Sequence, residues 1–291
     1  MIVSGAVNDT PKITYNGKTV EQIFRDILTV NGDAIIPENA ETQVMELLGA
    51  LAEHPASCYN GYIGMILGTG FNCCYSETNT NIGKDEALRN KTGSSIINME
   101  AGAFNGFKLS DADLLVREWA AVPDQNLWEK TMSGEYQGKL MDALLICAAK
   151  AGCFSAELAD RILNQPLGFT AVDISIYLDA PARAGKLHDF APEGEDAKVV
   201  YQLVDALLER ASMCAVMNLT AIMHATQTGL DPLKPVCIAI EGTTFMKNTT
   251  FNRKIHGHLI HYTQRVRGHH CRVVSTDEAN LVGSAVAAMT L

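Results

Sequence analysis

Residues 63–77, IGMILGTGFNCCYSE, constrain this chain more than any other stretch. An apolar run through Met65, Ile66 and Leu67 meets Gly68-Thr69-Gly70, and a second strand-like run, Asn72 to Tyr75, follows at once. Two such runs around a glycine turn predict a β-hairpin. Glycines on both sides of Thr69 let backbone amides turn outward, forming a nest suited to oxygen-rich ligands. Read alone, the same turn is equally a structural hairpin whose glycines serve only positive φ.

Around the hairpin the apolar spacing predicts helices over 18–29 and 40–53, then a loop at 54–61 that marks an expected domain boundary. A polar loop, 77–94, leads to a third strand at 95–100. Helices are predicted at 111–119, 126–151, 155–163, 170–178 with Thr170 as N-cap, and 195–227. The C-terminal third reads as a buried strand at 236–240, a helix at 249–266, a strand at 271–275 and a helix at 279–289. Three antiparallel strands, a helical block and two βα units form the order of a ribonuclease-H-like half of the actin-like ATPase and sugar-kinase architecture. The expected fold class is thus α/β, a large lobe with a mixed sheet flanked by helices.

The formal charge of −10 argues against a nucleic-acid or anionic-membrane partner. Eight cysteines lie scattered in apolar segments and never as C-x-x-C, which predicts reduced, buried thiols and a cytoplasmic location. The N-terminus has no signal-peptide pattern, and no apolar run approaches the roughly 20 residues of a membrane span. His256, His258 and His261 read as surface or structural histidines, and no metal site is predicted from them.

Five segments resemble, in order and spacing, the hexokinase family of eukaryotic-type hexokinases and glucokinases. Ile66 to Tyr75 is similar to that family's GTGxNxxY segment, and Ile97 to Phe104 resembles its INMEWGAF strand. Trp128 to Gly138 resembles FEKMISGxYLGE, Glu241-Gly242-Thr243-Thr244-Phe245 resembles the DGT phosphate loop, and Asn280 to Ala287 stands where the adenosine-binding helix begins. The resemblance implies ATP- and Mg2+-dependent phosphorylation of a hexose, glucose above all, at its 6-hydroxyl. It implies sugar binding by Asn72, Glu100 and Glu129. Phosphate and nucleotide contacts fall to Gly68, Thr69, Gly70, Gly242, Thr243 and Gly283. Such residues suit the task, because a hexose presents hydroxyls that both donate and accept, and a phosphate needs a cradle of amides and hydroxyls.

The departures are as specific as the matches. Where the family places a catalytic aspartate in Asn-Asp-Thr, before the GTG hairpin, this chain has Glu41-Thr42-Gln43. Asn8-Asp9-Thr10 lies upstream of that unit, so Asp9 reads as a turn residue rather than the base. No Asp-x-Gly-Gly-Thr-Asn first phosphate loop and no Thr-Lys sugar-contact pair precede residue 17. Residues 1–56 are therefore expected to be a remnant of the small domain and 57–291 the large domain, with weak activity in this chain alone. The alternative is a non-catalytic glucose- or nucleotide-binding pseudokinase or interaction protein. Apolar surface left by the small domain implies a homo-oligomer or a small-domain partner chain.

Overall fold

The structure, a computed structural model, describes residues 47–50, 54, 57–179 and 185–274, and the backbone of 14–15, 18–19, 29–30 and 33–34. Two short antiparallel pairs come first: β1 (Thr14–Tyr15) with β2 (Lys18–Thr19), and β3 (Thr29–Val30) with β4 (Asp33–Ala34). Asn-Gly, which separates β1 from β2, is the residue pair that most favours a two-residue hairpin. These pairings correct the helix expected over 18–29 at both of its ends, where turn chemistry outweighs helical spacing; residues 20–28 lie outside the described residues. Of the helix expected over 40–53, residues 47–50 are helical, with Leu47, Leu48 and Ala50 buried.

The main sheet has five strands: β5 (Gly61–Leu67), β6 (Phe71–Thr78), β7 (Ser94–Asn98), β8 (Val236–Glu241) and β9 (Cys271–Val274). Their order is β7-β6-β5-β8-β9. β6 runs antiparallel to both neighbours, whereas β8 is parallel to β5 and β9 to β8. A parallel neighbour needs a crossover, and the helical block between β7 and β8 supplies it. The near-continuous apolar run Val236-Cys-Ile-Ala-Ile240 follows from that place, since a central parallel strand is buried on both faces. Period-two alternation puts Ile63, Met65, Leu67, Phe71, Cys73, Val236, Ile238 and Ile240 in the main hydrophobic core.

After β6 a turn and a short helix, α1 (Glu86–Arg89), occupy the loop expected over 77–94. The helices that follow are α2 (Asp111–Trp119), α3 (Gly134–Lys150), α4 (Ala156–Asn164), α5 (Ala171–Asp179), α6 (Lys186–Phe190) and α7 (Gly194–Thr226). Beyond β8 come α8 (Thr243–Lys247) and α9 (Thr249–His258), the latter continued as a π-helix over Leu259–Val266. The core seats Leu140, Met141 and Leu145 of α3 against Val204, Leu208 and Ala215 of α7. Burying a leucine or methionine contributes roughly 1.5–3 kcal/mol each, so these two helices carry much of the stability. α7 is also long and apolar enough to cross a membrane by length and composition, but 61% of the relevant window is buried inside the fold. It is a core helix here.

Two caps fix the ends. Ser110 and Asp113 form a capping box on α2, and Arg210 of α7 grips Asp113 at 2.7 and 2.9 Å. Burial alone would raise the Asp113 carboxyl, but Arg210 and the Ser110 hydrogen bonds outweigh it and hold the group below the usual carboxylate range. Thr170 caps α5 as predicted, its Oγ1 accepting from the Asp173 amide and donating to the Asp173 carboxylate. The helix expected over 126–151 begins only at Gly134; Glu129–Thr131 forms a 3-10 turn instead. The helix expected at 279–289 lies outside the described residues.

Candidate functional site

β5 and β8 end side by side, Ile66 opposite Glu241, so the loops that leave their carboxyl ends meet. Ligands of open α/β sheets bind at such ends. The Gly68 amide donates to the Gly70 carbonyl at 3.0 Å, closing the turn. The Gly68 carbonyl then accepts from the Gly134 amide at 2.8 Å and from Thr244 Oγ1 at 2.8 Å. One carbonyl thus ties the hairpin to the starts of α3 and α8.

Glycine is required where the loops touch. Gly242 adopts φ +117°, and a Cβ there would fall 2.4 Å from the carbonyl carbon and oxygen of Leu67. At Gly134 a Cβ would lie 2.3 Å from Thr244 Oγ1. The result is a backbone cradle with the exposed Thr69 and Thr243 on its rim and the buried Thr244 spent on holding it together.

A polar wall adjoins the cradle. Antiparallel register places Cys74 opposite Asn98, alternation puts Asn72 on that same face, and Glu100 follows just beyond the end of β7. Asn72 Nδ2 donates to Asn98 Oδ1 at 2.9 Å, and Asn98 Nδ2 donates to Glu100 Oε1 at 2.7 Å. Asn72 Oδ1 accepts from the amides of Cys73 and Ala101 at 2.8 and 3.1 Å. Opposite them, Glu129 Oε2 accepts from the Phe71 amide at 2.9 Å. Gly70 and Gly102 make room for that carboxylate, since a Cβ on either would press on the Glu129 side chain at 3.0 or 3.2 Å.

Asn72, Glu100 and Glu129 line one open cavity of ≈ 220 Å³, together with Ile66, Gly70, Phe71, Gly102 and Asn126. That is smaller than the ~300–1,000 Å³ of pockets for drug-sized ligands and suits a small polar one. Asn126, at φ 50°, reaches the cavity from a loop that Lys130 holds. The largely buried Lys130 ammonium donates to the carbonyls of Val122 and Gln125. Burial lowers the Lys130 pKa, while the Glu129 and Asp124 charges push the other way. Trp128 closes the back of this corner, edge-on to Phe104 and Phe107 at 5.4 and 4.9 Å.

The structure therefore brings Gly68, Thr69, Gly70, Gly242 and Thr243 together at two touching loops, and Asn72, Glu100 and Glu129 around the neighbouring cavity. Gly283, Asp9 and Thr42 lie outside the described residues. Among the described residues no group of three or more His, Cys, Asp or Glu side chains is arranged to hold a metal. Sequence reasoning missed Asn98, Gly134 and Thr244. Asn98 was legible as the residue two before Glu100 on the strand expected at 95–100; Gly134 fell inside the helix expected over 126–151, so nothing marked it as a junction.

Comparison with known proteins bears on this arrangement. A family model described as hexokinase matches residues 62–290. Hexokinase-2 of Homo sapiens is 28% identical over 208 residues, covering 67% of this chain and 22% of that protein. A crystal structure of hexokinase superposes with a TM-score of 0.67 at 20% identity, over 88% of this chain and 55% of the other. A hexokinase from Schistosoma mansoni complexed with glucose gives 0.61 at 18% identity, over 86% and 56%. The chain thus spans 22% of the human relative and little more than half of these structures, which share its actin-like sugar-kinase fold. With most of its length matched by the family model, this chain belongs to the hexokinase family.

Proposed function

We propose that the Asn72–Glu100–Glu129 cavity binds a hexose, with glucose as the leading candidate. The adjoining cradle of Gly68, Thr69, Gly70, Gly242 and Thr243 holds the phosphates of ATP. The convergence of two carboxylates and an amide on one small cavity beside a glycine cradle carries this reading. The carboxylates accept from ring hydroxyls, and Asn72 donates to one. The cradle fits a polyphosphate, because its close-packed glycines leave backbone and two threonine hydroxyls where side chains would otherwise stand. Magnesium enters with the nucleotide, held by phosphate oxygens and one or two carboxylates rather than by a protein cage. Gly283 admits the adenosine, and residues 57–291 act as the large domain.

The reaction is phosphoryl transfer to the hexose 6-hydroxyl, slow in this chain by itself. With Thr42 where the family has an aspartate, no general base withdraws the hydroxyl proton, a loss of about 10²- to 10⁴-fold. A partner chain that supplies a small lobe would restore the base and the closure that excludes water. The same Thr42 favours a second reading, a hexose- or nucleotide-binding protein without turnover.

A coupled ADP-release assay on the 291-residue chain, run beside calorimetric titration with glucose, tests both. Saturable glucose binding is expected, with turnover far below the ~1–10³ per second of ordinary enzymes. Turnover in that range contradicts the missing base; absence of glucose binding contradicts the hexose site. Binding with no turnover, even after a hexokinase small lobe is added in trans, selects the second reading.

A further inference from the structure

A second cavity, of ≈ 330 Å³, lies between the loop that follows α4 and the short helix α6. Its lining includes the buried pair Phe169 and Phe190, edge-on with ring centroids 5.3 Å apart. Each ring carries its own cation. The Arg161 guanidinium carbon stands 4.5 Å from the Phe190 centroid, and Lys186 Nζ stands 4.7 Å from that of Phe169. Carbonyls hold both cations in place: Arg161 Nη1 donates to that of Phe190 at 3.4 Å, and Lys186 Nζ to those of Leu167 and Gly168 at 2.7 and 2.6 Å. The Asp142 carboxylate of α3 accepts from the amides of Gly168 and Phe169 at 3.0 and 3.1 Å, which fixes the loop. The cavity is thus organised before any ligand arrives, and it shares no lining residue with the Asn72–Glu100–Glu129 cavity. Asp142 is eight residues along α3 from Gly134 at the cradle, about 12 Å of helix.

Three charged groups of its lining, Arg161, Lys186 and Asp189, have hydrogen-bonding capacity left. A guanidinium has five N–H donors and an ammonium three. Among the described residues the Arg161 side chain spends one of them and Lys186 two, and the exposed Asp189 carboxylate has no partner. A guanidinium stacked on a ring keeps its edge for an oxyanion, and the stacking removes much of the entropy that binding would otherwise cost. We propose that this cavity binds a small phosphate monoester that also carries a hydroxyl, a site separate from the hexose cavity and the glycine cradle. Arg161 and Lys186 donate to the phosphate oxygens, and Asp189 accepts from the hydroxyl. Two cations against one carboxylate select an anion. A carboxylate offers two oxygens in one plane, which the Arg161 fork alone would fill; a phosphate monoester has three terminal oxygens, enough for the fork and the ammonium together. The volume leaves room for a carbon body beside the phosphate, and a carboxylate in the wall calls for a donor on that body.

Calorimetric titration of the 291-residue chain with glycerol 3-phosphate, inorganic phosphate and glycerate tests the proposal. Glycerol 3-phosphate is expected to bind saturably, more tightly than either of the others. Arg161→Gln should weaken it at least about tenfold, the range of a hydrogen bond between charged groups, whereas Arg253→Gln, at an exposed arginine of α9, should leave it within about twofold. Asp189→Asn gives the sharper reading, because it removes a negative charge near the phosphate and an acceptor for the hydroxyl at once. Inorganic phosphate should then bind as tightly as before or more so, while the preference for glycerol 3-phosphate over inorganic phosphate falls several-fold. This ratio is read in a variant that leaves both cations and their carbonyl contacts untouched, so it stands even if Arg161→Gln fails to fold. No binding of glycerol 3-phosphate, equal losses in Arg161→Gln and Arg253→Gln, or glycerate bound as tightly as glycerol 3-phosphate overturns the proposal. An unchanged preference in Asp189→Asn also overturns it. Displacement of glycerol 3-phosphate by saturating Mg·ATP would make the cavity part of the nucleotide site and overturn a separate one; affinity within about twofold supports it. None of these outcomes depends on glucose binding, so the hexose reading stands or falls by itself.

Discussion

The two walls of the site are built by opposite means. The glycine cradle, the proposed phosphate site, is backbone against backbone, with Gly242 so close to Leu67 that a methyl group would overlap the carbonyl, and with one Gly68 oxygen joining three segments. The polar wall, the proposed hexose site, is side chain against side chain, a chain of amides and carboxylates at a strand end whose Asn98 and Glu100 are exposed. Backbone contacts of the first kind make the cradle part of the fold. Contacts of the second kind can be lost one at a time while the fold survives.

The largest effect should therefore come from adding one carbon to the cradle. Gly242→Ala meets both a positive φ and a backbone overlap, and we expect a loss of more than ~4 kcal/mol, seen as a collapse of the urea midpoint. A stable Gly242→Ala protein would break the distinction. Next is a control remote from both walls. Asp113→Ala leaves Arg210 without its partner and removes the α2 capping box, a loss of about 2–4 kcal/mol in urea unfolding with ligand affinities unchanged.

The same carboxylate gives a pH signature. The Asp113 pKa is held below its unfolded value of about 3.9, so its contribution is present above that pH. It is lost as pH falls through the lower folded value. Wild-type stability should thus fall more steeply than that of Asp113→Ala below about pH 4, which paired urea titrations would read. Smaller still is Lys130→Met, which frees the carbonyls of Val122 and Gln125 and loosens the loop carrying Asn126. Stability should drop about 1–2 kcal/mol, and glucose affinity by a few-fold. Glucose affinity unchanged in Lys130→Met would remove Asn126 from the hexose wall.

The same contrast explains what could be read from the residues. Side-chain patterning is legible: alternation sets Asn72 and Cys74 on one face of β6, and the glycines around Thr69 announce the hairpin. Helix α2 was expected at 111–119 and is found there, because Ser110 and Asp113 spell its start. Backbone proximity is not legible in this way. Nothing local marks Glu100 for a left-handed conformation, and Trp128-Glu129-Lys130 are sound helix formers that tertiary contacts hold in a 3-10 turn. Lys130 reads as a surface charge, yet three backbone carbonyl and ring contacts bury it. The touching of Gly242 with Leu67 joins residues 175 positions apart, and only the parallel β5–β8 pairing brings it about.

Separability of the two walls is the central claim, and paired calorimetry on two variants tests it most directly. Glu129→Gln keeps an oxygen for the Phe71 amide but removes the charge, while Thr243→Ala removes one hydroxyl from the cradle rim. Titrated with glucose and with Mg·ATP, Glu129→Gln should weaken glucose at least about tenfold and leave ATP within about twofold. Thr243→Ala should do the reverse, more mildly. Variants that weaken both ligands alike, or a Glu129→Gln chain that binds glucose as the wild type does, would contradict the account.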